Sequence, residues 1–249
     1  MAYTRDQAIQ THKDYAETIK LWEYYIRSYN GGYDYMTGQY LSRYNLELDN
    51  EFNQRLANTP CDNHCKNIIQ IYSSFLFRVR PSRDFGSMQD EPSLEMFLRD
   101  ADLEGNNLNA VVKQAQNYAS IYGQCFMILD KPNIATNTVA EELEQDIRPY
   151  LSIVTPENVL DWNYVRQPNG KYELDYLKIR EEVDRKGGTY MRVWYLDRID
   201  TIYMEERSEP KLIDSVPNTL GKIPAVVLYN SKSHKRGIGQ SDLTDIADL

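Results

Sequence analysis

Residues 108–130 run LNAVVKQAQNYASIYGQCFMILD, and the spacing of their apolar residues changes character partway through. Up to Tyr122 the spacing is helical. Gly123 offers the positive φ on which helices commonly stop, and Cys125 to Leu129 then form an apolar run of strand length. On the N-terminal side of Gly123 the chain reads as helix, and on the C-terminal side mostly as antiparallel sheet. The predicted fold class is therefore α+β: a helical part over residues 1–123, a β-rich part over 124–240, and the start of a further helix over 241–249.

Toward the N-terminus, Thr4 and Gln7 form a T-x-x-Q capping pattern. Tyr15, Ile19, Trp22, Ile26 and Tyr29 then fall three and four apart, which lays one apolar stripe along a long helix ended by Gly31 and Gly32. A turn at Thr37 and Gly38 precedes a helical segment from about Leu46 to Leu56. Asp62 is placed to cap another helix in which Ile68, Ile71, Tyr72, Phe75 and Leu76 share a face, with Pro81 limiting its continuation. Pro92 suits the first turn of a helix carrying Leu94, Phe97 and Leu98.

Beyond Gly123, strands are expected at Cys125–Leu129, Tyr150–Val154, Trp162–Arg166, Tyr172–Glu182, Tyr190–Leu196, Thr201–Glu205 and Ala225–Tyr229. Pro168-Asn169-Gly170 and Lys186-Gly187-Gly188 have the composition of hairpin turns. The acidic stretch from Glu141 to Asp146 reads as a solvated helix or loop. Ser241 or Asp242 reads as the N-cap of a helix carrying Leu243, Ile246 and Leu249. An apolar-striped helix beginning there lacks a partner, so the sequence is expected to be the first portion of a longer polypeptide.

Composition narrows the function classes. The chain has 249 residues, 41% hydrophobic and 26% charged, and its longest apolar run, Ile223 to Tyr229, is far too short for a bilayer span. Lys and Arg number 28 against 37 Asp and Glu, a net charge of -9, which argues against a surface built to grip phosphates everywhere. Three Cys fit free thiols in a reducing compartment better than a disulfide framework, and 20 Tyr beside 6 Phe fit partly wet protein contacts.

Chemistry-bearing clusters are sparse. Cys61, His64 and Cys65 are the one group of metal-ligand types, one ligand short of a usual structural zinc site; a helix N-terminus capped by Asp62 is the plainer account. Glu181 and Glu182 are adjacent on a strand and point to opposite faces, and Asp242, Asp245 and Asp248 share the solvent side of the expected last helix. The chain contains no G-x-S-x-G elbow and no G-x-x-x-x-G-K-[ST] loop, and Gly237-Ile238-Gly239 lacks a nucleotide-binding context. No catalytic residue and no cofactor is assigned. Lys232, His234, Lys235 and Arg236 make one basic patch in a loop expected to be mobile. Lys232, Lys235 and Arg236 are the candidate nucleic-acid contacts. Gly123, Trp162 and Gly237 are expected as scaffold positions: a helix stop, a buried aromatic anchor and a loop pivot.

The order of short motifs carries more than any one of them. Trp22 and Tyr25 come first, then Tyr40-Leu41, Arg55-Leu56, and Asn67-Ile68-Ile69 to Phe75-Leu76-Phe77 with Pro81. Tyr118 to Gly123 leads into Cys125–Asp130 with Pro132. Arg148-Pro149-Tyr150 and Pro156 to Trp162 follow, and Ile223-Pro224-Ala225-Val226 and Gly237 to Leu243 close the series. This series resembles the N-terminal half of the portal proteins of tailed bacteriophages. The resemblance implies the wing of a subunit in a ring, usually a dodecamer, at the capsid vertex of a virion assembled in the host cytoplasm. Double-stranded DNA would pass through that ring during packaging and ejection. Implied partners are further copies of itself, the major capsid protein, terminase and a head-tail adaptor, with no membrane and no enzymatic activity of its own. Stem, clip and tunnel loop would lie beyond Leu249. The alternative reading is a metal-dependent nucleic-acid-processing enzyme using clustered carboxylates, and a third is a small zinc-bearing module at Cys61, His64 and Cys65.

Overall fold

The computed structural model describes residues 3–38, 40–59, 63–132, 134, 138–185 and 187–245. It is mixed α+β, with seven helices before the first strand: α1 (Arg5–Ile9), α2 (Lys13–Asn30), α3 (Gly32–Thr37), α4 (Asp49–Asn58), α5 (His64–Leu76), α6 (Pro92–Arg99) and α7 (Leu108–Tyr122). Local chemistry sets most of their ends. Asn107 Oδ1 accepts from the Ala110 amide at 3.1 Å to start α7, Pro92 occupies the first turn of α6, and Gly123 at φ 93° ends α7.

The long helix expected from Thr4 onward is instead two. The Thr4–Gln7 capping box is present, but the chain becomes extended at Gln10, and the His12 amide donates to the Leu160 carbonyl at 2.9 Å. The cause lies across the molecule in Lys178, which is 1% exposed. Its ammonium donates to the carbonyls of Gln7 at 3.0 Å and Ala8 at 3.3 Å, and also to that of Gln10. The charge meets the negative end of α1 and satisfies carbonyls that a helix terminus leaves without partners.

The strands are β1 (Gln124–Asp130), β2 (Tyr150–Val154), β3 (Val159–Arg166), β4 (Tyr172–Val183), β5 (Thr189–Tyr195), β6 (Arg198–Met204), β7 (Lys211–Pro217), β8 (Ala225–Tyr229), β9 (Ser231–Lys232) and β10 (Gly239–Gln240), with α8 (Val139–Glu144) between β1 and β2. They form a three-stranded sheet ordered β2-β1-β8, a five-stranded meander from β3 to β7, and a small β9-β10 ladder. All pairings are antiparallel. Gly170 and Gly187 supply positive φ at the two expected hairpins. β7 was not expected: its sequence, KLIDSVP, does not alternate, because it is an edge strand exposed along nearly its whole length.

One hydrophobic cluster draws on both halves of the chain, joining Trp22, Tyr25 and Ile69 to Phe126, Trp162, Leu177 and Trp194. A second seats Ala8 of α1 against Met191, Val193 and Ile202 of the meander. A third packs Ala115 and Ala119 of α7 on Cys125 of β1, where small residues permit close helix–sheet approach. Burial pushes the Cys125 thiol up to about 12, which keeps it protonated and unreactive.

Two further expectations are corrected. Asn63 caps α5, accepting from the Lys66 amide at 2.8 Å; Cys61 and Asp62 lie outside the described residues. On α5 the core takes Cys65, Ile69 and Ser73, whereas Ile71, Tyr72, Phe75 and Leu76 of the anticipated stripe are 56–69% exposed. The core-facing ridge is the narrower one, with small residues on either side of Ile69, and α2 and α7 pack there. Of the helix expected after Ser241, residues 242–245 form a turn, and Ile246 to Leu249 lie outside the described residues.

Candidate nucleic-acid interface

The segment from β8 to Leu243 folds back on the C-terminal end of α7. Gly123 and Gly239 meet backbone to backbone: a Cβ on Gly123 would lie 2.7 Å from the Gly239 carbonyl carbon and 2.9 Å from the Gln240 nitrogen. The Gly239 amide donates to Gln124 Oε1 at 2.7 Å, and the Asn230 amide to the Gly123 carbonyl at 2.9 Å. The Ser241 hydroxyl donates to the Ile121 carbonyl at 2.5 Å, and the Asp242 amide to that of Ser120 at 3.0 Å. The residues from Gly237 to Leu243 thereby satisfy carbonyls that α7 leaves open at its end. Ser241 thus closes α7, and its hydroxyl also accepts from the Leu243 amide at 2.9 Å.

Trp162 and Gly237 belong to the same lock. Trp162 stacks on His12 at a centroid distance of 4.2 Å, and its Nε1–H donates to the Arg236 carbonyl at 3.3 Å. A Cβ at Gly237, φ 82°, would lie 2.5 Å from Trp162 Nε1. The Gly237 amide also donates to the Tyr229 hydroxyl at 3.0 Å. Gly237 is thus clamped between the Trp162 indole and the Tyr229 hydroxyl.

The same clamp orders the basic loop. The Ser233 hydroxyl donates to the Ile238 carbonyl at 2.6 Å and closes the turn between β9 and β10. The Lys235 ammonium pairs with Asp14 at 2.8 Å and Glu17 at 2.7 Å on α2, which raises its pKa; its hydrogen bond holds the Glu17 carboxyl below the ordinary range. The Arg236 guanidinium lies 3.3 Å from the centre of the Tyr172 ring. Two of the three candidate contacts are therefore engaged within the fold. Lys232 is exposed on β9 and makes no ion pair among the described residues.

Together these groups border an open groove of about 610 Å³, lined by Lys222, Lys232, His234, Lys235 and Arg236 together with Tyr164, Tyr172 and Tyr229. Glu173 is its one carboxylate among the described residues. The groove is a positive region on an acidic chain, able to meet phosphate through side chains of uneven freedom. Lys222 was missed in the sequence because it lies ten residues from Lys232, on the far side of β8; only the fold brings the two together.

Of the other sequence candidates, Cys61 and Asp248 lie outside the described residues. His64 is exposed and Cys65 buried, and among the described residues no three of His, Cys, Asp and Glu converge as metal ligands would. Glu181 pairs with Arg192 at 3.0 Å, while Glu182 is exposed. Asp242 accepts from Asn230 Nδ2 at 2.7 Å. Arg192 also pairs with Asp130 of β1, tying the meander to the three-stranded sheet; residues so far apart in sequence gave no local signal. Among the described residues no helix is long and apolar enough to cross a membrane. In comparisons with known proteins, the chain matches no family model and no curated sequence.

Proposed function

We propose that the chain is the wing portion of a portal subunit of a tailed bacteriophage, closing with copies of itself into a ring at the capsid vertex through which double-stranded DNA is packaged and ejected. On this reading it makes and breaks no covalent bond. Its partners are its own copies, the major capsid protein, terminase and a head-tail adaptor. The ordered series of motifs from Trp22 to Leu243 supports the reading, and so does the charge of -9, because each cation held against phosphate would add salt-dependent retention to a passing duplex.

The observation that carries it is the incomplete packing of the helical part. Between Gly32 and Asp100 the buried residues described are Cys65, Ile69 and Ser73, all on one face of α5. In the same span Tyr33, Tyr44, Leu46, Leu48, Ile71, Tyr72, Phe75, Leu76, Val79 and Met88 are each more than half exposed. Apolar surface on that scale in one segment marks a face covered by other protein, and closed rings of identical subunits supply such cover. Within this reading Lys222 and Lys232 make only transient phosphate contacts, since Lys235 and Arg236 are held inward.

Electron microscopy of the natural polypeptide tests the proposal. An annulus with a central hole is expected; a monodisperse monomer at micromolar concentration contradicts it.

A further inference from the structure

Two surfaces at different places on the chain are complementary. The first is the outer face of α5 and the turn after it, where Ile71, Tyr72, Phe75, Leu76 and Val79 are 56–74% exposed. From Asn63 to Arg83 the sequence contains no carboxylate but carries Lys66, Arg78, Arg80 and Arg83, on a chain whose net charge is -9. The second is a groove of about 600 Å³ between the meander and the three-stranded sheet. Its apolar lining includes Leu129, Ile199, Val216, Leu220 and Pro224. Its carboxylates, Asp130, Glu142 and Asp214, outnumber its cations, Lys131 and Arg192, and Asp214 has no ion pair among the described residues.

We infer that the strip from Ile71 to Arg80 of one copy docks in this groove of a second copy, in a head-to-tail contact. Three arguments select that occupant. The area is right: an aromatic side chain presents about 150–250 Å², so the five exposed residues leave on the order of 500 Å² uncovered, much of the roughly 800 Å² per partner that a stable interface buries. The charges are right, because a cationic apolar strip meets an apolar groove with excess carboxylate. The strip and the groove are also different surfaces, so pairing them leaves the groove of one copy and the strip of the other still open, and association propagates to a closed ring or an open filament. The inference names the partner surface that the proposed ring requires, and it rests on that reading for closure alone.

The test uses variants of the natural polypeptide that each add one cysteine, Val79→Cys and Leu220→Cys, treated with a short bismaleimide and mapped by mass spectrometry so that 79–220 links are told apart from links to the native cysteines. Both positions are exposed in the subunit, at 74% and 59%. A 79–220 link is expected in the mixture, at least tenfold above either variant alone. Phe75→Ser with Leu76→Ser should abolish it while leaving the far-ultraviolet circular dichroism and the melting temperature of the dissociated subunit unchanged. A 79–79 link, assembly without a 79–220 link, or capture of the Phe75 strip by anionic lipid vesicles in place of the link would each overturn the inference. Annuli without the link would discard this interface and keep the ring, whereas the link in open filaments would keep the interface and discard the ring.

Discussion

The five-stranded meander and the helices from α3 to α6 contain the same kinds of apolar side chain and use them in opposite ways. In the meander Leu177, Val193, Trp194 and Ile202 are at most 2% exposed, closed over by α1, α2 and the neighbouring sheet; on α5, Phe75 and Leu76 are 69% and 65% exposed. An amphipathic pattern therefore shows that a face is to be covered but not by what. Where the covering element lies on the same chain, the subunit's own stability depends on that face. Where it lies on another chain, the dependence passes to assembly.

The largest break expected is at the joint between the two halves. Gly123→Val puts a β-branched residue at φ 93° with its Cβ inside contact distance of the Gly239 backbone, and a loss of about 4 kcal/mol or more in urea unfolding is expected. A loss under about 1 kcal/mol would mean that α7 ends differently. Leu177→Ala, at a fully buried position, should cost about 3 kcal/mol from lost burial and the cavity left behind.

Asp200 sharpens the comparison through pH. Burial alone would raise its pKa, but the hydrogen bonds from Ser215 at 2.6 Å, Tyr3 at 2.5 Å and Arg198 at 3.1 Å hold it below the ordinary 3.8. A carboxylate with a depressed folded-state pKa contributes stability above its unfolded value, and that contribution is lost as pH falls through the folded value. Asp200→Ala should therefore cost about 2 kcal/mol at pH 7, with the gap to the parent closing only below about pH 3.8. Thermal melts of both proteins from pH 7 to pH 2 check this; a gap that closes near pH 6 would assign the effect elsewhere. The smallest effect is on the other side of the comparison. Phe75→Ala should shift subunit stability by less than about 0.5 kcal/mol, although it removes a larger side chain than Leu177→Ala does.

Much of the backbone was legible because it is written locally. The helix of Leu108–Tyr122, its stop at Gly123, the strands Tyr150–Val154 and Ala225–Tyr229, and both glycine hairpins follow from period and turn chemistry. What was missed depends on distant partners. The break between α1 and α2 is imposed by Lys178, some 170 residues away. β7 lacks alternation because it is an exposed edge, and β9 and β10 are too short to show a period. At the candidate interface the cations were visible as a cluster. Their inequality was not, because Asp14, Glu17 and Tyr172 reach Lys235 and Arg236 only after folding.

The central claim is that the α3–α6 layer is finished by a neighbouring copy. Hydrogen exchange on the natural polypeptide, in dissociated and assembled form, measures this directly. The account predicts that amides in residues 66–99 slow by about tenfold or more on assembly while those of β3 and β4, which do not line the docking groove, keep their rates. Equal rates in residues 66–99 in the two states would contradict it.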